Sequence, residues 1–362
     1  MFHHEQGSEP GDPQPLLQPV TLGDLELPNR VVMAPATRCR ADPAELTPTG
    51  LHAAYYAQRA SAGLIVAEAS WVSDRAIGGY RGVPGIYHAA QVAAWRRVTR
   101  VVHAVGGRIV LQLWHTGAVF GPGPAPAAMT AADVSTVIAD FGAAVGHARQ
   151  AGFDGVEIAA NGTYLIAQFL HPRLNRRRDG YGTDRGRLLR EIIAAAGAAW
   201  NGSRRVGVRL SPYWTVRDEP HARSHQDGYP YTADEETLAG YDDLVGGLDP
   251  DELAYLHLRG PAPDTPGGEP GFDAVARYRK LFGGPLIANH GYTAETANRL
   301  IEGGLADAVS FAALFIANPD LVSRFALGHD LAVSDRGTHY TGGPRGYVDY
   351  PIWAGPREPG PR

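Results

Sequence analysis

The chain alternates short runs rich in Val, Ile and Leu with longer stretches in which apolar residues recur every three or four positions. The short runs Arg30–Ala34, Leu64–Ala67, Arg108–Leu113, Gly155–Ile158, Val206–Leu210, Ala254–Leu258, Pro285–Ala288 and Ala306–Phe311 predict strands. Their near-continuous apolarity is that of strands covered on both faces. The stretches Gln91–Ala104, Thr136–Ala151, Arg187–Trp200 and Ala294–Glu302 predict helices, the first with Val92, Trp95, Val98, Val101 and Val102 as its apolar positions. Thr293, with Glu295 and Thr296 after it, is the predicted cap of the last helix. Strands alternating with helices over this length predict an α/β fold, a single (β/α)8 TIM barrel. The first strand is not followed by GxGxxG and no fixed period recurs, which argues against an open dinucleotide-binding sheet.

Composition narrows this picture without supplying an activity. With 362 residues, 44% hydrophobic and 20% charged, the chain has the make-up of one large globular domain. A flexible N-terminal tail is expected over 1–15, the barrel over 16–355 and a short C-terminal tail over 356–362. The net charge of −5 gives no reason to expect nucleic acid or an anionic membrane as partner. No apolar run approaches the roughly 18 residues of a membrane span, and the start lacks an export pattern. A cytoplasmic location is therefore expected. Cys39 is the only cysteine, expected as an ordinary buried thiol, and no metal is expected. Lys280 is the only lysine, which fits GC-rich coding rather than a functional arginine surface. Two breaker-rich loops, 217–228 and 260–271, follow strands on the face where barrels keep their sites.

The strand ends carry more specific information. The blocks Pro19–Gly23, Leu27–Arg38, Gly63–Ala69, Leu111–His115, Ala151–Ile158, Val208–Pro212, Tyr255–His257, Phe315–Leu321 and Gly346–Pro351 occur in the order found in the Old Yellow Enzyme family. The chain thus resembles that family of FMN-dependent ene-reductases over nearly its whole length after residue 16. The resemblance implies an FMN seat at the C-terminal mouth of the barrel, with NADPH or NADH as reductant. Pro35, Ala36 and Thr37 would form a shelf under the ring, with the Thr37 hydroxyl toward it. Ala67 would lie against the ring edge, Gln112 would pair with its pyrimidine edge, and Arg209 would be the fixed cation beside it. Tyr164 matches the family's proton donor, while Trp114, His115 and Tyr340 match substrate-side positions. Taken singly, Thr37, Gln112 and Arg209 also fit a strand-end hydroxyl, a satisfied core amide and a structural ion-pair partner.

Three departures set this chain apart. The His and Asn that activate the substrate carbonyl in the family fall on Ala159 and Gly162, leaving Asn161 as a single substitute donor. The Gly-Arg pair that holds the FMN phosphate falls on Ala312 and Ala313, leaving Gly291 and neighbouring N–H groups after the seventh strand. The segment after Thr116 is short, which opens the mouth toward a bulky substrate. Three functions fit this combination. The first is an FMN oxidoreductase, reductase or desaturase, acting on a large, apolar natural product. The second is a flavin-weak or flavin-free barrel catalysing a non-redox cyclisation, rearrangement or isomerisation. The third is a non-catalytic binding protein. The oligomeric state stays open.

Overall fold

The computed structural model describes residues 14–118, 123–202, 204–213, 234–261 and 271–355. Most of the expected N-terminal tail, the C-terminal tail, the loop 217–228 and most of 260–271 lie outside the described residues. A hairpin of β1 (Val20–Leu22) and β2 (Leu25–Leu27) precedes the barrel strands β3 (Val31–Met33), β4 (Leu64–Trp71), β5 (Ile109–Trp114), β6 (Gly155–Ala160), β7 (Val206–Leu210), β8 (Tyr255–Arg259), β9 (Leu286–Asn289) and β10 (Ala308–Phe311). All eight are parallel, and β10 pairs with β3 to close the barrel. The predicted strands and helices are therefore present, with ends moved by a few residues. Among the strands the largest difference is β4, which runs on to Trp71 through a register shift between Ala67 and Ser70. Its apolar run is interrupted by Glu68, and alternation alone places no strand end there.

Thr293 caps its helix as expected: its Oγ1 accepts from the Thr296 N–H at 3.2 Å. The helices cover the outside of the barrel, so residues such as Ile65, Leu111, Val156 and Val208 pack into the strand–helix layer. The hairpin turns at Gly23, whose φ of 60° suits a residue without Cβ. An added Cβ there would stand 2.3 Å from the Arg204 carbonyl oxygen. Through this close approach Leu22, Leu25 and Leu27 plug the lower end of the barrel against Val32, Leu64, Val66, Val110, Tyr255 and Ile287.

Along β5 to β10 the inward positions change from apolar to polar toward the C-terminal mouth. Gln112, Glu157, Arg209, His257, Asn289 and Ser310 form one buried layer above that plug. Gln112 Nε2 donates to Glu157 Oε1 at 2.8 Å, and Glu157 Oε2 lies 2.7 Å from His257 Nδ1. His257 Nε2 meets Ser310 Oγ at 2.7 Å, and Asn289 Nδ2 donates to the Ser310 carbonyl at 3.0 Å. Burial pushes the Glu157 carboxyl up, but His257, Arg209 and the Gln112 hydrogen bond outweigh it and hold Glu157 below the usual carboxylate range. Burial and then Arg209 depress His257 to about 4 against the pull of Glu157, so the ring is neutral at pH 7. His115, buried at the end of β5, is likewise pushed down to about 4 by burial.

A second set of contacts fixes the C-terminal segment across the barrel top. Arg38 Nη2 donates to the Gly346 carbonyl at 2.7 Å, and Arg40 Nη2 to those of Thr338 and Arg345. Arg59 holds the Phe315 and Ile316 carbonyls, while Tyr347 stacks on Tyr55 at 4.0 Å. Hydrogen bonds from a charged group are worth roughly 1.5–3 kcal/mol each, so Arg40→Ala should cost several-fold more than a surface change. The check is the urea midpoint together with proteolysis, and cleavage should appear first between residues 336 and 350.

Acid should destabilise this fold early. Unfolding returns His115 and His257 to about 6.5, so the unfolded chain binds more protons below that pH. The stability is complete above about pH 6.5 and falls as pH drops toward 4. His115 alone accounts for a loss of about 3 kcal/mol at roughly 1.4 kcal/mol per unit. Urea midpoints at pH 7.5, 6, 5 and 4 should decline across that window, and His115→Gln should flatten the decline.

Candidate active site at the mouth of the barrel

Above the polar layer lies a cavity of about 300 Å³, at the lower end of the ligand-site range of roughly 300–1,000 Å³. Pro35, Ala36 and Thr37 enter it from the end of β3, Asn161 and Tyr164 from the end of β6, Arg209 from β7, and Tyr340 from the C-terminal segment. Of the residues singled out from sequence, these seven share the cavity wall. Gln112 lies below the wall, in the polar layer. Ala67 is fully buried and packs in the strand–helix layer with Ile65 and Ala69, on the side of β4 opposite Val66. Its side chain does not line the cavity. Gly291 is exposed and likewise outside the lining.

Arg209 is held in the wall from two sides. Its Nη2 donates to Asn289 Oδ1 at 2.8 Å, and its Nη1 lies 3.0 Å from His257 Nε2. Burial lowers its pKa to about 10, with Glu157 opposing, so a fixed cation faces the cavity at neutral pH. The Glu157–His257–Ser310 chain has the spacing of a nucleophile–base–carboxylate relay. Ser310 is only 2% exposed and does not line the cavity, so its hydroxyl reaches no reactant. What the relay does is hold a neutral imidazole against Arg209, which fixes where that guanidinium points.

Tyr164 caps the short helix Leu165–Leu170, and its ring meets Trp114 edge-on at 4.7 Å. Trp114 in turn stacks on Trp71 at 4.4 Å, so an aromatic wall backs the phenol. His115 is buried, with Nδ1 accepting from the Gly117 N–H at 3.1 Å, and it contributes no side chain to the cavity. Gly162 has φ of 62°, and an added Cβ would stand 3.1 Å from Tyr164 Cε2. Its N–H donates to Ser211 Oγ at 2.7 Å. A side chain at position 162 would therefore strain the backbone and crowd the Tyr164 ring. Beside it, Asn161 lines the cavity with its Oδ1 buried and without a hydrogen-bond partner. Ala159 is buried on the inward face of β6 and offers no polar atom.

At the other end of the mouth, Ala313 is exposed at the start of the helix Ala313–Ala317. His290, just after β9, has φ of 97° and lies near Arg259, the last residue of β8. Arg259, Tyr80, Ile316 and His339 also line the cavity, and sequence reasoning singled out none of them. A signal for Arg259 existed: Tyr255, His257 and Arg259 alternate along one strand and so share its inward face. Cys39 is half-buried rather than buried, at φ of 57°, with its thiol pushed up to about 11 by burial and then Glu68. Among the described residues no group of His, Cys, Asp and Glu could hold a metal, and no helix is long and apolar enough to cross a membrane.

Comparison with known proteins agrees with this geometry. Residues 15–121 and 123–331 match the model of the NADH:flavin oxidoreductase / NADH oxidase family. The chain is 38% identical to 12-oxophytodienoate reductase 1 of Oryza sativa subsp. japonica, over 93% of each chain. It is 36% identical to chanoclavine-I aldehyde reductase fgaOx3 of Penicillium roqueforti, over 92% of this chain and 95% of that one. The structure of morphinone reductase in complex with tetrahydroNAD superposes with a TM-score of 0.82 at 37% identity, over 93% of this chain and 97% of the other. A closed eight-stranded barrel, a polar layer beneath its mouth and these matches lead to one conclusion: the chain belongs to the NADH:flavin oxidoreductase family, the family of Old Yellow Enzyme.

Proposed function

We propose that this protein is an FMN-dependent oxidoreductase that reduces or desaturates a bulky natural product at a carbonyl-activated carbon–carbon bond. The observation that carries the reading is the buried Arg209 guanidinium, locked by Asn289 and His257 and presented to the cavity that Thr37 also lines. A desolvated cation is costly without a use for its charge, and the reduced flavin ring is an anion that such a cation stabilises. The residues present fit the ring end of FMN. Pro35, Ala36 and Thr37 would floor it, Arg209 would balance its charge, and Gln112 would reach it from the layer below. The chemistry supplied by bound FMN is hydride transfer, with NADH or NADPH as the source.

The remaining steps belong to the protein. The Asn161 amide would polarise the substrate carbonyl in place of the paired donors lost at Ala159 and Gly162. Tyr164, backed by Trp114, would deliver the proton from its hydroxyl. Tyr340 would cover the substrate, while His115 would act only through the loop it anchors at Gly117. Support for a bulky substrate comes from the likeness to a chanoclavine-I aldehyde reductase. The described wall is more polar than the sequence suggested, which favours a substrate with one polar end seated among Thr37, Asn161 and Arg209.

Titration with FMN should quench flavin fluorescence, and NADPH or NADH should bleach the bound flavin bands. A protein that takes up no flavin would sink the reading. In stopped-flow work with an α,β-unsaturated aldehyde, Tyr164→Phe should slow oxidative turnover about 10²-fold. The nicotinamide half-reaction should stay within about twofold of the unmodified protein, and equal slowing of both halves would remove Tyr164 as the acid.

A further inference from the structure

The shelf under the cavity is loop, so its shape depends on an anchor from elsewhere in the fold. Pro35, Ala36, Thr37 and Arg38 all line the cavity beyond the end of β3. The Ala34 N–H meets the Phe311 carbonyl oxygen at 3.1 Å, and the Ala41 N–H meets that of Gly82 at 2.9 Å. Between these two, only Arg38 has a backbone N–H with an acceptor among the described residues. That acceptor is Glu68 Oε2, at 3.3 Å. The Thr37 hydroxyl makes no hydrogen bond to a described residue, so its place is set by the backbone beside it.

Glu68 reaches the shelf because β4 carries an extra residue at this point. From Ala67 to Ser70 the strand takes three steps, while β5 takes two from Leu111 to Leu113. A bulge of this kind turns a side chain out of the regular alternation. Glu68 is 1% exposed, and both of its carboxyl oxygens face donors. Tyr56 Oη donates to Oε1 at 3.4 Å and accepts the Glu68 N–H at 2.9 Å. Burial and then Glu68 hold the Tyr56 phenol well above its ordinary range, so it keeps the proton it donates. His52 Nδ1 accepts from the Thr49 N–H, which leaves the ring proton on Nε2, 3.4 Å from Oε1. Among the described residues that imidazole is the one ion-pair neighbour of Glu68. A carboxyl group this deep, with no guanidinium against it, is costly to bury. Arg38 carries the hold further, because its guanidinium donates to Tyr55 Oη at 3.0 Å and to the His339 carbonyl at 3.2 Å.

We propose that Glu68 is a positioning residue for the cavity floor, fixing the Arg38 backbone and with it the Thr37 hydroxyl and the segment that carries Tyr340. The proposal rests on the redox reading for what the Thr37 hydroxyl does, whereas the hold itself needs no flavin. A hydroxyl donated toward the ring stabilises the charge gained on reduction. A shelf that drifts therefore makes bound FMN harder to reduce.

The first test measures the two-electron potential of bound FMN by dye-equilibrated reduction. Glu68→Leu leaves the Arg38 N–H without an acceptor and should shift the equilibrium about tenfold toward oxidised flavin, about 30 mV. Glu68→Gln keeps one oxygen for that N–H and should stay within about threefold of the unmodified protein. Thr37→Ala should reproduce the Glu68→Leu shift, and combining the two should add nothing further. A direct effect of the carboxyl charge would raise the potential in Glu68→Leu and Glu68→Gln alike. That result, or additive shifts in the double variant, overturns the proposal. If Glu68→Leu does not fold, Glu68→Asp, which draws the carboxyl back by one methylene, takes its place with the same expected direction.

A second test follows amide hydrogen exchange in the protein without flavin. Glu68→Leu should speed exchange about tenfold in peptides covering 35–41 and 338–347, with those of β9 and β10 unchanged. Unaltered exchange over 35–41 overturns the proposal whether or not flavin binds. A protein that takes up no flavin removes the redox reading alone, and the hold by Glu68 is then judged by exchange.

Discussion

The mouth of this barrel depends on one buried cation and its hydrogen bonds. Arg209 stands on the inward face of β7, where a guanidinium has almost no water to solvate it. It stays charged because Glu157 lies one imidazole away and Asn289 accepts one of its N–H groups. The arrangement also ties together strands that closure alone would hold only through backbone bonds. Gln112, Glu157, Arg209, His257, Asn289 and Ser310 come from six consecutive strands of the barrel, β5 to β10. A layer of this kind has to be satisfied throughout, since one orphaned member in a dry interior would cost more than the network returns.

This layer also separates the two ends of the barrel. Below it, the β1–β2 hairpin and the apolar inward residues make a sealed core whose task is stability. Above it, the strand ends and the arginine-clamped C-terminal segment make a wall whose residues can change without disturbing the core. Ala159, Gly162 and Ala313 all lie at or above the layer, where substitution alters chemistry more than folding. That division lets a family keep one scaffold while its members diverge in what they bind. Gly162 shows the mechanism at a single residue: once the loop is hydrogen-bonded to Ser211 and turned through positive φ under Tyr164, the position has no room for a donor.

The chain itself determined the barrel and the family. Each strand carries an apolar run of its own, each long helix a repeating apolar stripe, and the strand-end blocks such as Leu27–Arg38 and Ala151–Ile158 are local in sequence. Residues expected at the mouth were legible from the same blocks and strand ends: Thr37, Asn161, Tyr164, Arg209 and Tyr340 share one cavity. What only the tertiary structure decided is which side chains meet. Residues 157, 257 and 310 are far apart along the chain, and nothing local reveals that a carboxylate, an imidazole and a hydroxyl align behind Arg209. The pairing of Arg259 with His290 was hidden likewise. It follows from the stagger between neighbouring strands, which is set by barrel closure rather than by any one segment.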